Sequence, residues 1–168
     1  MAKASGKRKV VSTLKSPVSA QRKLPHGGYV VVDRELCVGC GTCELVCSLS
    51  HEGESNPYLA RLRLVADPFT GAIALDTCRQ CAEPACFFAC PVEGALVIDK
   101  KTAARIIVED KCIACGACAR VCPYNEGGGV IRLNPVKNVY FKCDLCSGDP
   151  RCVSSCQVVA LKYKGSNP

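Results

Sequence analysis

The sequence predicts an α+β chain made of two small modules, the second inserted within the first, behind a basic N-terminal arm. Three observations carry that expectation. Sixteen cysteines fall into four groups of four with none left over, while five tyrosines, four phenylalanines and no tryptophan supply little aromatic bulk in 168 residues. Cysteine usage so far above average means that something bound by thiols, rather than an apolar core alone, organises the fold. Short β-branched runs flank the groups, and the first and last of these runs enclose everything between them.

Residues 1–28, "MAKASGKRKVVSTLKSPVSAQRKLPHGG", hold seven basic side chains (Lys3, Lys7, Arg8, Lys9, Lys15, Arg22 and Lys23) and no acid. The rest of the chain balances 15 basic against 15 acidic residues, so the net charge of +7 belongs to this arm. The arm has no apolar h-region and no paired arginines, so no export signal is expected. No stretch approaches the ~18 apolar residues of a membrane span. The expected compartment is the reducing cytoplasm, where dense cysteine signals metal rather than disulfides. Without interleaved aromatics or an amphipathic period, the arm reads as a solvated or disordered tail, or as a strap bound to a partner subunit, and not as a nucleic-acid ligand.

"GYVVVDREL" is the first strand, and group one follows it: Cys37, Cys40, Cys43 and Cys47. "ARLRLVADPFTGAIALD" reads as a hairpin leading to group two, Cys78, Cys81, Cys86 and Cys90. "ALVID", "KKTA" and "RIIVE" form a strand, a turn and a strand before group three, Cys112, Cys115, Cys118 and Cys122. "GGG" at Gly127–Gly129 is a connector, "GGGVIRLNP" ends in another strand, and group four is Cys143, Cys146, Cys152 and Cys156. "QVVALKYK" closes the chain as a strand expected to pair antiparallel with the first.

Each group is C-x2-C, a third cysteine two to five residues later, and a fourth after three more. In such a run three thiolates converge on one cubane, and the fourth cysteine leads away to the neighbouring cluster. Structural zinc prefers two separated C-x2-C knuckles, and neither His26 nor His51 stands at a zinc-ligand offset. The spacing therefore points to four [4Fe–4S] clusters bound by the sixteen cysteines. Gly39, Gly41 and Gly116 fit this, since backbone beside a sulfur must adopt unusual φ values. Ala114, Ala117 and Ala119 are small, and Pro91 and Pro123 end groups two and three. Ser48 and Gln157 stand at the corresponding places in groups one and four.

The single hairpin between groups two and three makes them one bacterial-type two-cluster ferredoxin module, residues 57–136. Groups one and four then form the outer module, residues 29–56 and 137–168. Crossed ligation gives Cys37, Cys40, Cys43 and Cys156 to one cluster and Cys143, Cys146, Cys152 and Cys47 to its neighbour. In the inner module Cys78, Cys81 and Cys86 share a cluster with Cys122, and Cys112, Cys115 and Cys118 share one with Cys90. Sequential pairing of the groups, one with two and three with four, is the alternative.

The four groups, and "KCDLCSGDPRCVSSC" above all, resemble the four-cluster ferredoxin-like electron-transfer subunits of multisubunit oxidoreductases. The resemblance runs from about Tyr29 to Tyr163. It includes the small subunits of dimethyl sulfoxide reductase, formate dehydrogenase, formate hydrogenlyase and carbon monoxide dehydrogenase systems, and it implies the same nested pairing. The compact fourth group is most similar to subunits that accompany tungsten enzymes of the aldehyde oxidoreductase type. What the resemblance implies is a non-catalytic subunit that relays single electrons between a large catalytic partner and a flavin/NAD-reducing subunit or ferredoxin, with self-association as an extension of the wire. A free-standing polyferredoxin, a subunit of a molybdopterin, hydrogenase or carbon monoxide dehydrogenase complex, and a zinc-built nucleic-acid module are the alternatives. No open metal position, nucleophile–base pair or dinucleotide fingerprint suggests catalysis. Val38, Val46, Phe87, Phe88, Ile113, Val121, Tyr124 and Phe141 are expected to shield the clusters from water. Arg79, Arg120 and Lys142 stand beside ligands, where a positive charge would raise a potential or meet a partner.

Overall fold

The computed structural model describes residues 27–165, so nearly all of the basic arm lies outside the described residues. Regular elements are short, as expected of a chain folded around thiols. In order they are β1 (Tyr29–Val32), α1 (Thr42–Glu52), β2 (Arg63–Ala66), β3 (Ile73–Asp76), α2 (Ala85–Phe88), β4 (Leu96–Ile98), β5 (Arg105–Ile107), α3 (Ala117–Val121), β6 (Arg132–Asn134), β7 (Val139–Phe141), α4 (Arg151–Ser154) and β8 (Leu161–Lys164).

The strands form four antiparallel pairs: β1 with β8, β2 with β3, β4 with β5 and β6 with β7. Pairing of β1 with β8 matches Tyr29 to Lys164 and Val32 to Leu161, as their sequences predict. The β4–β5 turn is held by Asp99, whose Oδ2 accepts from the Lys101 and Thr102 amides at 3.1 and 2.7 Å. The β2–β3 turn uses Asp67 in the same way, its Oδ1 accepting from Phe69 and Thr70. β7 is an addition to the sequence reading. Its alternation was present in "VYF", with Val139 and Phe141 buried, but three residues beside a cysteine group carry a weak period-2 signal. The turn between β6 and β7 contains positions 136 and 137, where the inner and outer modules are expected to meet.

The helices differ in length for a visible reason. α2 and α3 stop just ahead of Cys90–Pro91 and Cys122–Pro123, because a residue before proline is driven out of the α region. Group one has Ser48 at that place, so α1 runs on to Glu52 and ends at Gly53. Ser48 is fully buried; its hydroxyl donates to the Leu45 carbonyl and accepts from the Asn56 amide at 2.9 Å. α1 packs against α4, and α2 against α3.

One backbone feature recurs in every cysteine group. The residue before the second cysteine is left-handed each time: Gly39 at φ 68°, Gln80 at 49°, Ala114 at 55° and Leu145 at 64°. This kink folds each C-x2-C back on itself, which brings its thiols to one side. Three of these residues bear a Cβ and tolerate a conformation that costs ~1–3 kcal/mol, the kind of strain that accumulates at functional sites. At Gly39 an added Cβ would also lie 3.1 Å from Ile73 Cδ1. We therefore expect Gly39→Ala to destabilise the metal-loaded chain by ~1–2 kcal/mol, and Ala114→Gly to be neutral or stabilising. Thermal loss of the iron–sulfur absorbance under argon measures both.

The core mixes thiols with aliphatic side chains. Cys43, Cys47, Cys78, Cys118, Cys143 and Cys152 are buried in one cluster with residues such as Val30, Leu62, Leu75, Leu96 and Leu161. Of the eight apolar residues expected to shield the thiols, Phe141 is buried and Val46 and Phe87 are partly so. Val38, Phe88, Ile113, Val121 and Tyr124 are exposed instead. Ile113 and Tyr124 nevertheless line two cysteine-walled cavities from their outer rims.

Candidate metal centres

All sixteen cysteines are free thiols, so the disulfide alternative finds no bridge here. The structure gathers them across group boundaries. Cys78, Cys81 and Cys86 of group two line one cavity together with Cys122 of group three. Cys112, Cys115 and Cys118 of group three line a second cavity together with Cys90 of group two. The crossing of α2 over α3 produces this exchange, because each short helix carries its last cysteine toward the other cavity.

Groups one and four meet through α1 and α4. The buried Cys152 thiol is raised well above its ordinary pKa, first by burial and then by the neighbouring sulfurs of Cys143, Cys47, Cys146 and Cys43. Group-one Cys47 thus lies among the first three cysteines of group four. Cys37 is partly buried and Cys40 exposed; they lead into α1, which carries Cys43. Cys156 follows α4, its amide bonded to the Val153 carbonyl at 3.2 Å. Sulfurs of different pairs also approach one another, with Cys78 beside Cys143 and Cys86 beside Cys118. The two exposed cysteines are Cys40 and Cys115.

Burial dominates the thiol chemistry. It pushes Cys43 and Cys143 up to about 12 and Cys86 and Cys118 up to about 11. A buried protonated thiol is a poor nucleophile, and a metal that binds it must displace its proton. Exposed Cys40 is shifted the other way, downward, first by its hydrogen bond to the Thr42 hydroxyl. The donor set suits iron–sulfur clusters, since each of the two cavities has four thiols and no carboxylate or imidazole in its wall.

Several supporting groups were not foreseen. The Arg61 amide donates to Cys47 Sγ at 3.2 Å, and the Tyr140 amide to Cys112 Sγ at 3.4 Å. His51, which stands at no zinc-ligand spacing, comes within 4.0 Å of Cys146 Sγ and bonds Asp144 Oδ1 at 3.1 Å. Burial alone would lower the His51 pKa, but hydrogen bonds to Asp144, Cys146 and Cys47 raise it to about 12. Asp144 is held far below the usual carboxylate range: burial would raise it, and His51 and Arg61 outweigh that. Arg61 also reaches Glu109, and Lys137 joins Glu109 to Glu52. This network fixes Asp144, which accepts from the Cys146 amide at 3.0 Å and so sets that ligand loop.

Lys142, expected beside a ligand, is joined by Arg105, which the sequence did not mark. Lys142 is 2% exposed and donates to Cys78 Sγ at 3.4 Å and to the Arg105 carbonyl. Arg105 is 1% exposed and forms part of the wall of the Cys78–Cys122 cavity. Gln80 braces both segments, accepting from the Arg105 amide at 2.7 Å and donating to the Cys143 carbonyl at 2.8 Å.

Among the described residues no helix is long and apolar enough to cross a membrane. Residues 69–165 match the family described as 4Fe-4S dicluster domain, and residues 29–51 match a 4Fe-4S binding domain. The chain is 42% identical over 128 residues to an aliphatic sulfonate oxidoreductase, polyferredoxin-like subunit, of Pyrococcus furiosus, spanning 76% of this chain and 70% of that one. It is 28% identical to the electron transport protein HydN of Escherichia coli, over 79% of this chain and 85% of that one. A formate dehydrogenase iron–sulfur subunit of Haemophilus influenzae is 31% identical over 79% of this chain and half of its own length. A chain of the benzoyl coenzyme A reductase complex BamBC superposes with a TM-score of 0.48 at 25% identity, covering 84% and 80% of the two chains. Bound 4Fe-4S clusters pass single electrons and make no bond in a substrate, so the chain is a non-catalytic iron–sulfur electron-transfer subunit of the oxidoreductase type. By sequence and by the chemistry of its thiols, it belongs to the 4Fe-4S dicluster ferredoxin family.

Proposed function

We propose that the chain holds four [4Fe–4S] clusters in two nested ferredoxin modules and relays electrons between a large catalytic subunit and a second redox partner. The observation that carries this is the pair of cavities, each walled by three cysteines of one group and the fourth of another. Crossed ligation follows for Cys78, Cys81, Cys86 and Cys122, and for Cys112, Cys115, Cys118 and Cys90. By the same rule Cys143, Cys146 and Cys152 take Cys47, which Cys152 has as a neighbour, and Cys37, Cys40 and Cys43 take Cys156. Antiparallel β1 and β8 support an outer module, residues 29–56 and 137–168, closed around an inner one, residues 57–136.

The order of neighbouring sulfurs supports a linear wire. Exposed Cys40 marks one end and exposed Cys115 the other, and each has an exposed aliphatic side chain beside it, Val38 and Ile113. These ends suit two partners. One is a catalytic oxidoreductase subunit, which we assign to the tungsten aldehyde oxidoreductase type from the compact fourth group. The other is a flavin/NAD-reducing subunit, a ferredoxin or a second copy of this chain. The basic arm straps the chain to a partner, and the complex works in the cytoplasm.

Anaerobic purification from the native cell tests the reading. The expected result is about sixteen irons and as many labile sulfides per chain, with a large tungsten-containing subunit co-purifying. Stable isolation of the chain alone would make it a free-standing polyferredoxin, and zinc in place of iron would overturn the proposal.

A further inference from the structure

We infer that Lys142 and Arg105 are built-in counter-charges for the cluster of Cys78, Cys81, Cys86 and Cys122, and that they make it the most readily reduced cluster in the chain. The inference rests on the ligand assignment proposed above. Both side chains are almost fully buried, and among the described residues neither has a carboxylate within ion-pair distance. Arg105 donates through Nη1 to the Ala103 carbonyl at 2.7 Å, which leaves its Nε and Nη2 without a protein partner. Two buried cations without an acid are strongly unfavourable unless an anion lies close by. A cubane ligated by four thiolates is such an anion, and it gains a further negative charge on reduction.

The asymmetry across the molecule gives the inference its content. The Cys78–Cys122 cavity has Arg105 in its wall, Lys142 on one of its sulfurs, and no carboxylate. Arg79, also in that wall, is exposed and stacks over Tyr124 at 5.9 Å, where solvent screens it. The Cys90–Cys118 cavity has no charged side chain in its wall, and nearby Arg120 is exposed and bonded to the Cys115 carbonyl. Beside Cys47 and Cys146, Arg61 and His51 are both paired to Asp144. Half-buried Arg132, near Cys47, is held by the Pro57 and Ala60 carbonyls and the Phe141 ring, so this side carries one unpaired cation against two at the Cys78–Cys122 cavity. Positive charge in a low-dielectric wall stabilises the reduced state of the nearest cluster, and net charge is one of the established levers on potential. Lys142 and Arg105 are thus positioning residues for an electron, and the site they make is a resting place within the wire.

The test is an EPR-monitored redox titration of the anaerobically purified protein, with Cys78→Ser and Cys122→Ser as markers of the signal concerned. We expect that signal to appear first as the potential is lowered. Lys142→Met should lower its reduced-to-oxidised ratio about tenfold at a fixed potential, about 59 mV for a one-electron couple, with the other signals unmoved and Lys142→Arg restoring the order. If Lys142→Met loses iron, Arg105→Gln and Arg105→Lys make the same comparison. A signal that stays in place in the neutral variants, or that titrates last in the parent protein, overturns the inference. If the shift falls on the signal marked by Cys78→Ser while Cys122→Ser marks a different one, the counter-charge stands and crossed ligation falls.

Discussion

Stripping the iron from the purified protein with chelator and oxidant will unfold it, with loss of both near-UV and far-UV circular dichroism. No element other than α1 exceeds five residues, and the strand pairs contain three or four residues each. Helices of that length are unstable alone, and isolated two-stranded ribbons are marginal at best. The buried core interleaves its aliphatic residues with six cysteines whose positions the metal would set. In such domains metal-binding free energy is folding free energy, on the order of 10 kcal/mol where it has been measured for zinc. Native-like dichroism in the iron-free chain, together with a cooperative thermal transition, would show that the apolar residues suffice.

Replacing Cys122 by serine should change the EPR signal of the cluster bound by Cys78, Cys81 and Cys86 and leave that of the Cys112, Cys115 and Cys118 cluster intact. The reason is positional. Cys122 sits one residue beyond α3, where Pro123 forces the chain out of the helix, and its thiol faces the group-two cavity. The reciprocal variant, Cys90→Ser, should disturb the group-three cluster alone, because Cys90 lines the other cavity. Serine is a poorer ligand for iron, so partial loss of one cluster, read as a reduced iron count, accompanies the change. Signals that follow group membership would overturn crossed ligation.

What the sequence makes legible here is local and periodic. Fixed cysteine intervals define the four groups, and alternation with turn residues marks β4–β5 and the partnership of β1 with β8. Gly39 announces its left-handed turn because only glycine takes it without strain. Gln80 and Leu145 take the same turn with side chains that ordinarily argue against it, so nothing in their identity signals it. Lys142 is marked by its place next to Cys143, but its burial, like the roles of Arg105 and His51, was unreadable for a related reason. Charged residues in short strands and helices normally face water, and their burial depends on segments far apart in the chain. Conversely, Val38 and Ile113 look like core residues by type yet are exposed, Ile113 at the rim of the cavity that Cys112, Cys115 and Cys118 line.

The pairing of Tyr29 with Lys164 also sets a timetable for biosynthesis. As the chain leaves the ribosome, residues 78–122 are complete well before β8 exists, so α2 and α3 can meet while the first strand still waits for its partner. Iron delivered during translation therefore finds its earliest finished sites in the middle of the polypeptide. The closing strand seals the structure only after the segment through Lys164 has emerged.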